Sequence, residues 1–158
     1  MHPRFAKTDG FEMRRFGEPR DLTVAYTRRP GVYAVLIRDG QILLTFQQNP
    51  EPEFQLPGGG IDAGETAIPA LHREVYEETG WKISTPLKIG TYKRFCYMPD
   101  YDIYAEKICS IYIARPTQRL GPPTEEGHFV FWLPLAEAPA LLANSGDRFF
   151  LERVLGSL

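Results

Sequence analysis

Glu74, Glu77 and Glu78 stand three and four residues apart in the run His72-Arg73-Glu74-Val75-Tyr76-Glu77-Glu78-Thr79-Gly80. On a helix those spacings put the three carboxylates on neighbouring parts of one side. Like charges so placed repel by roughly a few tenths of a kcal/mol per pair on an exposed helix. They also crowd the C-terminal half of the helix, where the macrodipole favours cations. A bound divalent cation removes both penalties. The oxygen donors suit a hard ion such as magnesium, manganese or calcium, and the lack of His and Cys partners disfavours zinc. A solvated acidic face is the competing account of the same three residues. Gly58, Gly59 and Gly60 precede the run and let backbone approach a ligand closely. Arg73 lies eight residues after Glu65 and can fork onto its carboxylate, bracing loop against helix. Glu65 and Arg73 are therefore structural in this reading.

The elements around this stretch must position it. Thr66–Thr79 is predicted as a helix, because Ile68, Leu71 and Val75 fall on one face. Pro69 is tolerated in its first turn and Gly80 stops it. Upstream, Val32–Arg38 and Gln41–Gln47 form a hairpin about Asp39-Gly40. Pro30-Gly31 is expected to break the chain ahead of it, and a short strand is expected at Leu22–Thr27. Phe54–Leu56 is a further short strand. Downstream, Trp81–Tyr97 and Ile103–Arg115 read as two long strands. Arg115–Glu126, with its prolines, reads as a loop, and Phe129–Leu133 as another strand. Leu135–Ala143 and Asp147–Leu155 are expected helices. The order implies a mixed sheet with helices on it, α+β or an α/β/α sandwich. Residues 1–29 form an N-terminal arm and residues 30–158 one domain.

Composition narrows the chemistry. The chain has 158 residues, 43% apolar and 24% charged, with a net charge of -2. That length supports one domain with a substantial core. The charge provides no overall field for a nucleic-acid backbone, so a small substrate is expected and nucleic acid is not. No apolar run is long enough to span a bilayer, so no membrane partner is expected. Cys96 and Cys109 are the only cysteines and neither lies in a CxxC. A disulfide framework is not expected, and a reducing cytoplasm is.

The central stretch resembles the Nudix signature, G-x5-E-x7-R-E-U-x-E-E-x-G-U with U a bulky apolar residue. Gly59, Glu65, Arg73, Glu74, Val75, Glu77, Glu78, Gly80 and Trp81 match every constrained position. The likeness extends over about Gly31–Leu142. It implies an α/β/α sandwich with the signature as loop-helix-loop. It also implies hydrolysis of a nucleoside diphosphate linked to another group X, with Mg2+, or Mn2+ in its place. Carried over residue by residue, the metal ligands are Glu74, Glu77 and Glu78, with Glu78 the strongest and the Gly58 carbonyl an added ligand. A carboxylate near other negative charge holds protons more tightly, which suits a general base. Glu74 is one candidate for that role. Glu125 or Glu126, in the loop before the last core strand, is another, with Glu126 favoured. His128 is an alternative base, weighed against a plain surface-loop histidine. His72 is assigned to the surface or to packing. A non-catalytic nucleotide sensor is the alternative function, and a homodimer would fit the family.

Substrate choice lies outside the signature. The strands about 93–107 carry Lys93, Arg94, Phe95, Tyr97, Tyr101, Tyr104 and Lys107. Aromatic rings can stack on a base and cations can hold phosphates. Gln48, Arg94, Tyr97 and Tyr104 are the expected substrate contacts, with Gln47 beside them. The ADP-ribose and dinucleoside-polyphosphate subclasses are marked by a proline, then a tyrosine slightly further on. Here Tyr97 and Pro99 occupy those places in reverse, so the subclass stays open.

Overall fold

The computed structural model describes residues 13–158. Its central strand is β2 (Tyr26–Arg38), which turns at Asp39-Gly40 into β3 (Gln41–Gln47). The chain continues through β4 (Glu53–Gln55) and β5 (Gly58–Gly60) into α1 (Ala67–Thr79). After β6 (Trp81–Ile83) come the long β7 (Leu87–Met98) and β8 (Ile103–Ala114), then β9 (Pro116–Arg119) and β10 (His128–Pro134). A 3-10 turn at Leu135–Glu137, the short α2 (Ala138–Leu141) and α3 (Ser145–Gly156) close the chain. A two-residue strand, β1 (Arg14–Arg15), precedes them all.

The main sheet runs β1-β7-β8-β2-β3-β10, with β4 on β3 and β5 on β2. It is mixed: β2 lies parallel to β8 and antiparallel to β3 and β5. Alternation along β2 divides the core in two. Val32, Ala34 and Leu36 face one side and meet Ala70, Leu71 and Val75 of α1. Val35 faces the other and packs with Phe150, Leu151 and Val154 of α3. A helix thus covers each face of the sheet, as the sequence implies. The Gly80 cap adopts φ 76 and donates its N–H to the Tyr76 carbonyl. That left-handed stop, favoured by glycine, ends α1 where expected.

Several boundaries differ from expectation. Pro30-Gly31 does not break the chain, since β2 runs through both. The two polar groups of one strand residue point the same way, and the Pro30 carbonyl accepts from Ile61 beyond the end of β5. The missing N–H therefore falls on that side and leaves the ladder to β8 intact. Leu22–Thr27 is not a separate strand; Asp21 accepts from the Thr23 N–H in a turn, and β2 begins at Tyr26. The three glycines are not a loop but β5, paired with Gly31–Tyr33. Pro86 divides the expected strand Trp81–Tyr97 into β6 and β7. Part of the expected loop after Arg115 is β9, paired with β6. The helix expected at Leu135–Ala143 is the 3-10 turn plus the four-residue α2. In the N-terminal segment, β1 pairs with β7 and Phe16 packs edge-on against Tyr92.

Candidate active site

Leu71, Val75 and Glu78 fall on one buried face of α1, with Glu74 at its edge, so docking that face brings both carboxylates against β5. Glu78, 6% exposed, accepts a hydrogen bond from the Gly58 N–H at 3.1 Å. A Cβ on Gly58 would lie 2.0 Å from the Val32 carbonyl oxygen, and one on Gly59 would lie 2.5 Å from the Glu74 carboxyl carbon. The glycines thus let β5 lie against both β2 and the glutamates.

Arg73 is the hub of this arrangement. Its Nε and Nη2 reach the two Glu65 carboxylate oxygens at 2.8 and 2.7 Å. Nη1 donates to Glu74 at 2.9 Å and Glu77 at 3.1 Å, and Nη2 also reaches the Gly60 carbonyl at 3.1 Å. The expected brace between Glu65 and Arg73 is therefore made, and it extends to two of the helix glutamates. The fork from Arg73 lowers the Glu65 carboxyl to about 2.

Glu78 behaves oppositely. Burial raises its pKa well above the ordinary range, crowding by Glu125, Glu74 and Glu77 adds to this, and the Gly58 N–H opposes it. Glu74 is also raised, chiefly by burial and against the pull of Arg73. Two carboxyls that resist ionisation beside two further glutamates form a set of donors suited to a cation.

The loop before β10 completes the cluster. The N–H groups of Thr124 and Glu125 both donate to the Glu77 carbonyl, at 2.9 and 3.0 Å. This staple directs Glu125 at the helix. Glu74, Glu77 and Glu125 offer ligand oxygens within 4.8 Å of one another, and so do Glu78, Glu125 and His128. Glu126, the favoured residue in the sequence, belongs to neither group. The place expected for it is taken by Glu125. His128 is not a surface-loop residue. It opens β10 opposite Gln47, and its buried Nδ1 has no hydrogen-bond partner and lies 3.9 Å from Glu78 Oε1. These oxygens and the orphaned nitrogen fit a divalent ion. The Gly58 backbone borders the same cleft.

That cleft has a volume of about 310 Å³. Gly58, Gly59, Glu74, Glu78 and His128 line it beside the metal-ligand candidates. Arg29, Arg94, Lys107 and Tyr101 line it as well, as do Tyr33, Tyr92, Cys109, Asn144 and Asp147. Tyr92 donates to the buried Asp147 at 2.7 Å, while burial pushes the Asp147 carboxyl up to about 6.

Of the expected substrate contacts, only Arg94 lines this cleft. Tyr92, Arg94 and Met98 share one face of β7, so Phe95 and Tyr97 must share the other. Tyr97 and Tyr104 pack together there at 5.2 Å between ring centres, and Tyr97 donates to Asp102. Both are thereby removed as cleft residues. Gln48 is exposed and outside the lining; Gln47, one residue earlier, lies within it and donates to Glu53 at 3.0 Å. The sequence reading missed Arg29, Tyr33, Tyr92, Asn144 and Asp147. The period of two counted from Arg94 would have found Tyr92. Nothing local marks Asp147 and Asn144, which arrive from the distant start of α3.

Residues 27–154 match the family described as NUDIX domain. The chain belongs to the Nudix family. A Bacillus subtilis relative, named putative 8-oxo-dGTP diphosphatase, is 38% identical over 64 residues, 40% of this chain and 43% of that one. A Streptomyces rubellomurinus relative, named CMP-5'-(N-acetyl-N-hydroxy-3-aminopropyl)phosphonate hydrolase, is 30% identical over 143 residues, 83% of this chain and 66% of its own. The chain thus spans less than half of the first relative and about two thirds of the second. The crystal structure of a MutT Nudix hydrolase from Burkholderia pseudomallei superposes with a TM-score of 0.68 at 24% identity, covering 81% of this chain and 98% of that one. That likeness carries the Nudix fold. No helix among the described residues is long and apolar enough to cross a membrane.

Proposed function

We propose that the protein is a magnesium-dependent pyrophosphohydrolase that cleaves a nucleoside diphosphate linked to another group, with manganese able to replace magnesium. One observation carries the reading: Glu74, Glu77, Glu78 and Glu125 converge beside the glycine backbone of β5, and Glu74 and Glu78 line a cleft large enough for a small molecule. The names of both relatives, each a hydrolase or diphosphatase of a nucleotide, support it. The net charge of -2 favours a small substrate over a nucleic-acid chain. Two free cysteines accord with a cytoplasmic setting.

In this reading Glu77, Glu78 and Glu125 hold the ion, with the Gly58 carbonyl as an added ligand. Arg73 fixes the orientation of Glu74 and Glu77 through its hydrogen bonds. Glu74, half-buried and with a raised pKa, accepts the proton from the attacking water. A bound magnesium ion supplies neutralisation of the pyrophosphate and acidification of water. Arg94 and the cleft tyrosines Tyr33 and Tyr92 contact the rest of the substrate.

A panel of nucleotides assayed with and without Mg2+, with products identified by mass, tests the reading. Changing a residue that merely supports a metal ligand costs about 10–100-fold, so Glu78→Gln, which removes a proposed ligand, should cost at least about a hundredfold. Unchanged turnover in Glu78→Gln would remove the assignment.

A further inference from the structure

Three cations stand in register across the sheet. Arg29 of β2 is paired with Lys107 of β8, and Lys107 with Arg94 of β7. Strands lie about 4.8 Å apart, so the row spans roughly 10 Å. All three residues line the cleft that holds the glutamates. Like charges directly opposite one another on a sheet destabilise it, so their grouping needs another cause.

Their surroundings provide none. Among the described residues, no carboxylate lies within ion-pair distance of Arg29, Lys107 or Arg94, and none of their side chains makes a hydrogen bond within the protein. Two other arginines that are partly buried do find partners: Arg73 in its carboxylates, and Arg148 in the Pro139 and Leu142 carbonyls. Arg29 rests over the Tyr101 ring, 4.6 Å from its centre, which holds it at the cleft without neutralising it. Asp147 borders the same cleft and Arg94 and Lys107 draw its carboxyl down against burial, but it forms no ion pair with the row, accepts from Tyr92, and is one carboxyl beside three cations. Partly desolvated cations with donors unused are prepared for an anion that arrives with the ligand.

The row is also offset from the candidate metal centre. Gly31, two residues beyond Arg29, pairs with Gly60 of β5, so Arg29 lies roughly 7 Å along the strand from that point, and Lys107 and Arg94 lie further out. A diphosphate held at the glutamates cannot occupy the whole row.

We propose that Arg29, Lys107 and Arg94 bind a second anionic group of the substrate, a phosphate or carboxylate carried beyond the hydrolysed diphosphate, and so select polyanionic substrates over those with a neutral group X. This rests on the hydrolase reading for its placement of the diphosphate. The charge on the distal group is the specificity determinant, and Lys107, central in the row, contributes most.

Two matched pairs test it. UDP-glucuronate differs from UDP-glucose by a carboxylate in place of a neutral hydroxymethyl group, and ATP from ADP by one phosphate. The wild type should favour the more anionic member of at least one pair by about tenfold in kcat/KM, and the pair that responds identifies the group. Lys107→Gln should remove most of that preference while changing the other member less than about twofold, and Arg94→Gln should remove it with a loss for both members. Lys107→Arg should retain it, and Lys88→Gln, with the same loss of net charge outside the cleft, should leave it intact. Equal turnover within both pairs, or equal loss for both members in Lys107→Gln, overturns the proposal. A separate arm needs no turnover. Inorganic tripolyphosphate is titrated calorimetrically in EDTA, with the thermal midpoint of each variant recorded. Lys107→Gln should bind at least about tenfold more weakly than wild type at an unchanged midpoint. Equal affinity overturns the row. Loss of affinity in a protein that hydrolyses none of the nucleotides keeps the row and refutes the hydrolase reading instead.

Discussion

Gly59→Ala isolates the position of Glu74 from the stability of the fold. Gly59 is not at a positive φ, so alanine can adopt its backbone. The added Cβ, however, would stand 2.5 Å from the Glu74 carboxyl carbon. Ordinary contact begins near 3.4 Å, so the carboxylate must retreat by about 1 Å. The hydrogen bond from Arg73 to Glu74, 2.9 Å long, stretches out of range by such a move. A misplacement of about 1 Å in a catalytic constellation can cost about a hundredfold in rate, equivalent to about 2.7 kcal/mol at the transition state.

Stability should change little. The lost charge-assisted hydrogen bond is partly exposed, and the smaller conformational freedom of alanine in the unfolded chain returns roughly 0.4–1 kcal/mol. The net effect should lie within about 1 kcal/mol. Gly60→Ala is the control: a Cβ there meets nothing within 4 Å, so its kcat/KM should stay within about twofold of wild type. Steady-state kinetics in saturating Mg2+ and thermal unfolding of both variants decide the matter. Gly59→Ala with activity within threefold of wild type would show that Glu74 has no positional role. A loss of several kcal/mol in stability would show that Gly59 serves the fold instead.

Three further outcomes follow from the same geometry. Glu125→Gln should lower kcat/KM by at least about tenfold and Glu126→Gln by less than twofold, because only Glu125 is stapled toward the glutamates; equal effects in the kinetic assay would contradict the loop geometry. The Asp147 carboxyl, raised by burial from 3.8 to about 6, contributes stability that is fully present below about pH 4 and is lost as pH rises through 6. That contribution is on the order of 3 kcal/mol, and Asp147→Asn should flatten that part of a urea-denaturation pH profile. Mg2+ at a hundred times its Kd should raise stability by about 2.7 kcal/mol and release protons on binding, since Glu78 and Glu74 hold theirs more tightly than free carboxyls do; calorimetry in buffers of different ionisation heat reads the release.

The signature glutamates were legible because helix periodicity alone fixes their relative directions. Once α1 buries Leu71 and Val75, Glu78 is carried in on the same face with Glu74 at its edge, and Gly58–Gly60 supply the backbone they meet. The same periodic logic, unused on β7, would have separated Arg94 from Tyr97. Glu125 was harder to place. Its direction depends on two hydrogen bonds to a helix-end carbonyl, and the neighbouring glutamate offers identical chemistry. Asp147 and Asn144 lay beyond local inference, because only the packing of α3 brings them beside Tyr92. Pro30-Gly31 misled for a related reason: a proline interrupts a strand only if its missing N–H faces a partner.

Arg73 explains how the acidic helix persists before any ion binds. Repulsion among Glu74, Glu77 and Glu78 would fray the C-terminal half of α1 if nothing opposed it. The guanidinium bonds to two of the three, and Glu65 in turn holds the guanidinium by a two-point fork. Glu78 lies outside this network and is kept by burial and one backbone N–H. It is therefore the one helix glutamate of the three that no guanidinium compensates. A cation gains most by neutralising the charge that the protein itself leaves unpaired, which makes Glu78 the natural primary ligand on electrostatic grounds independent of family likeness.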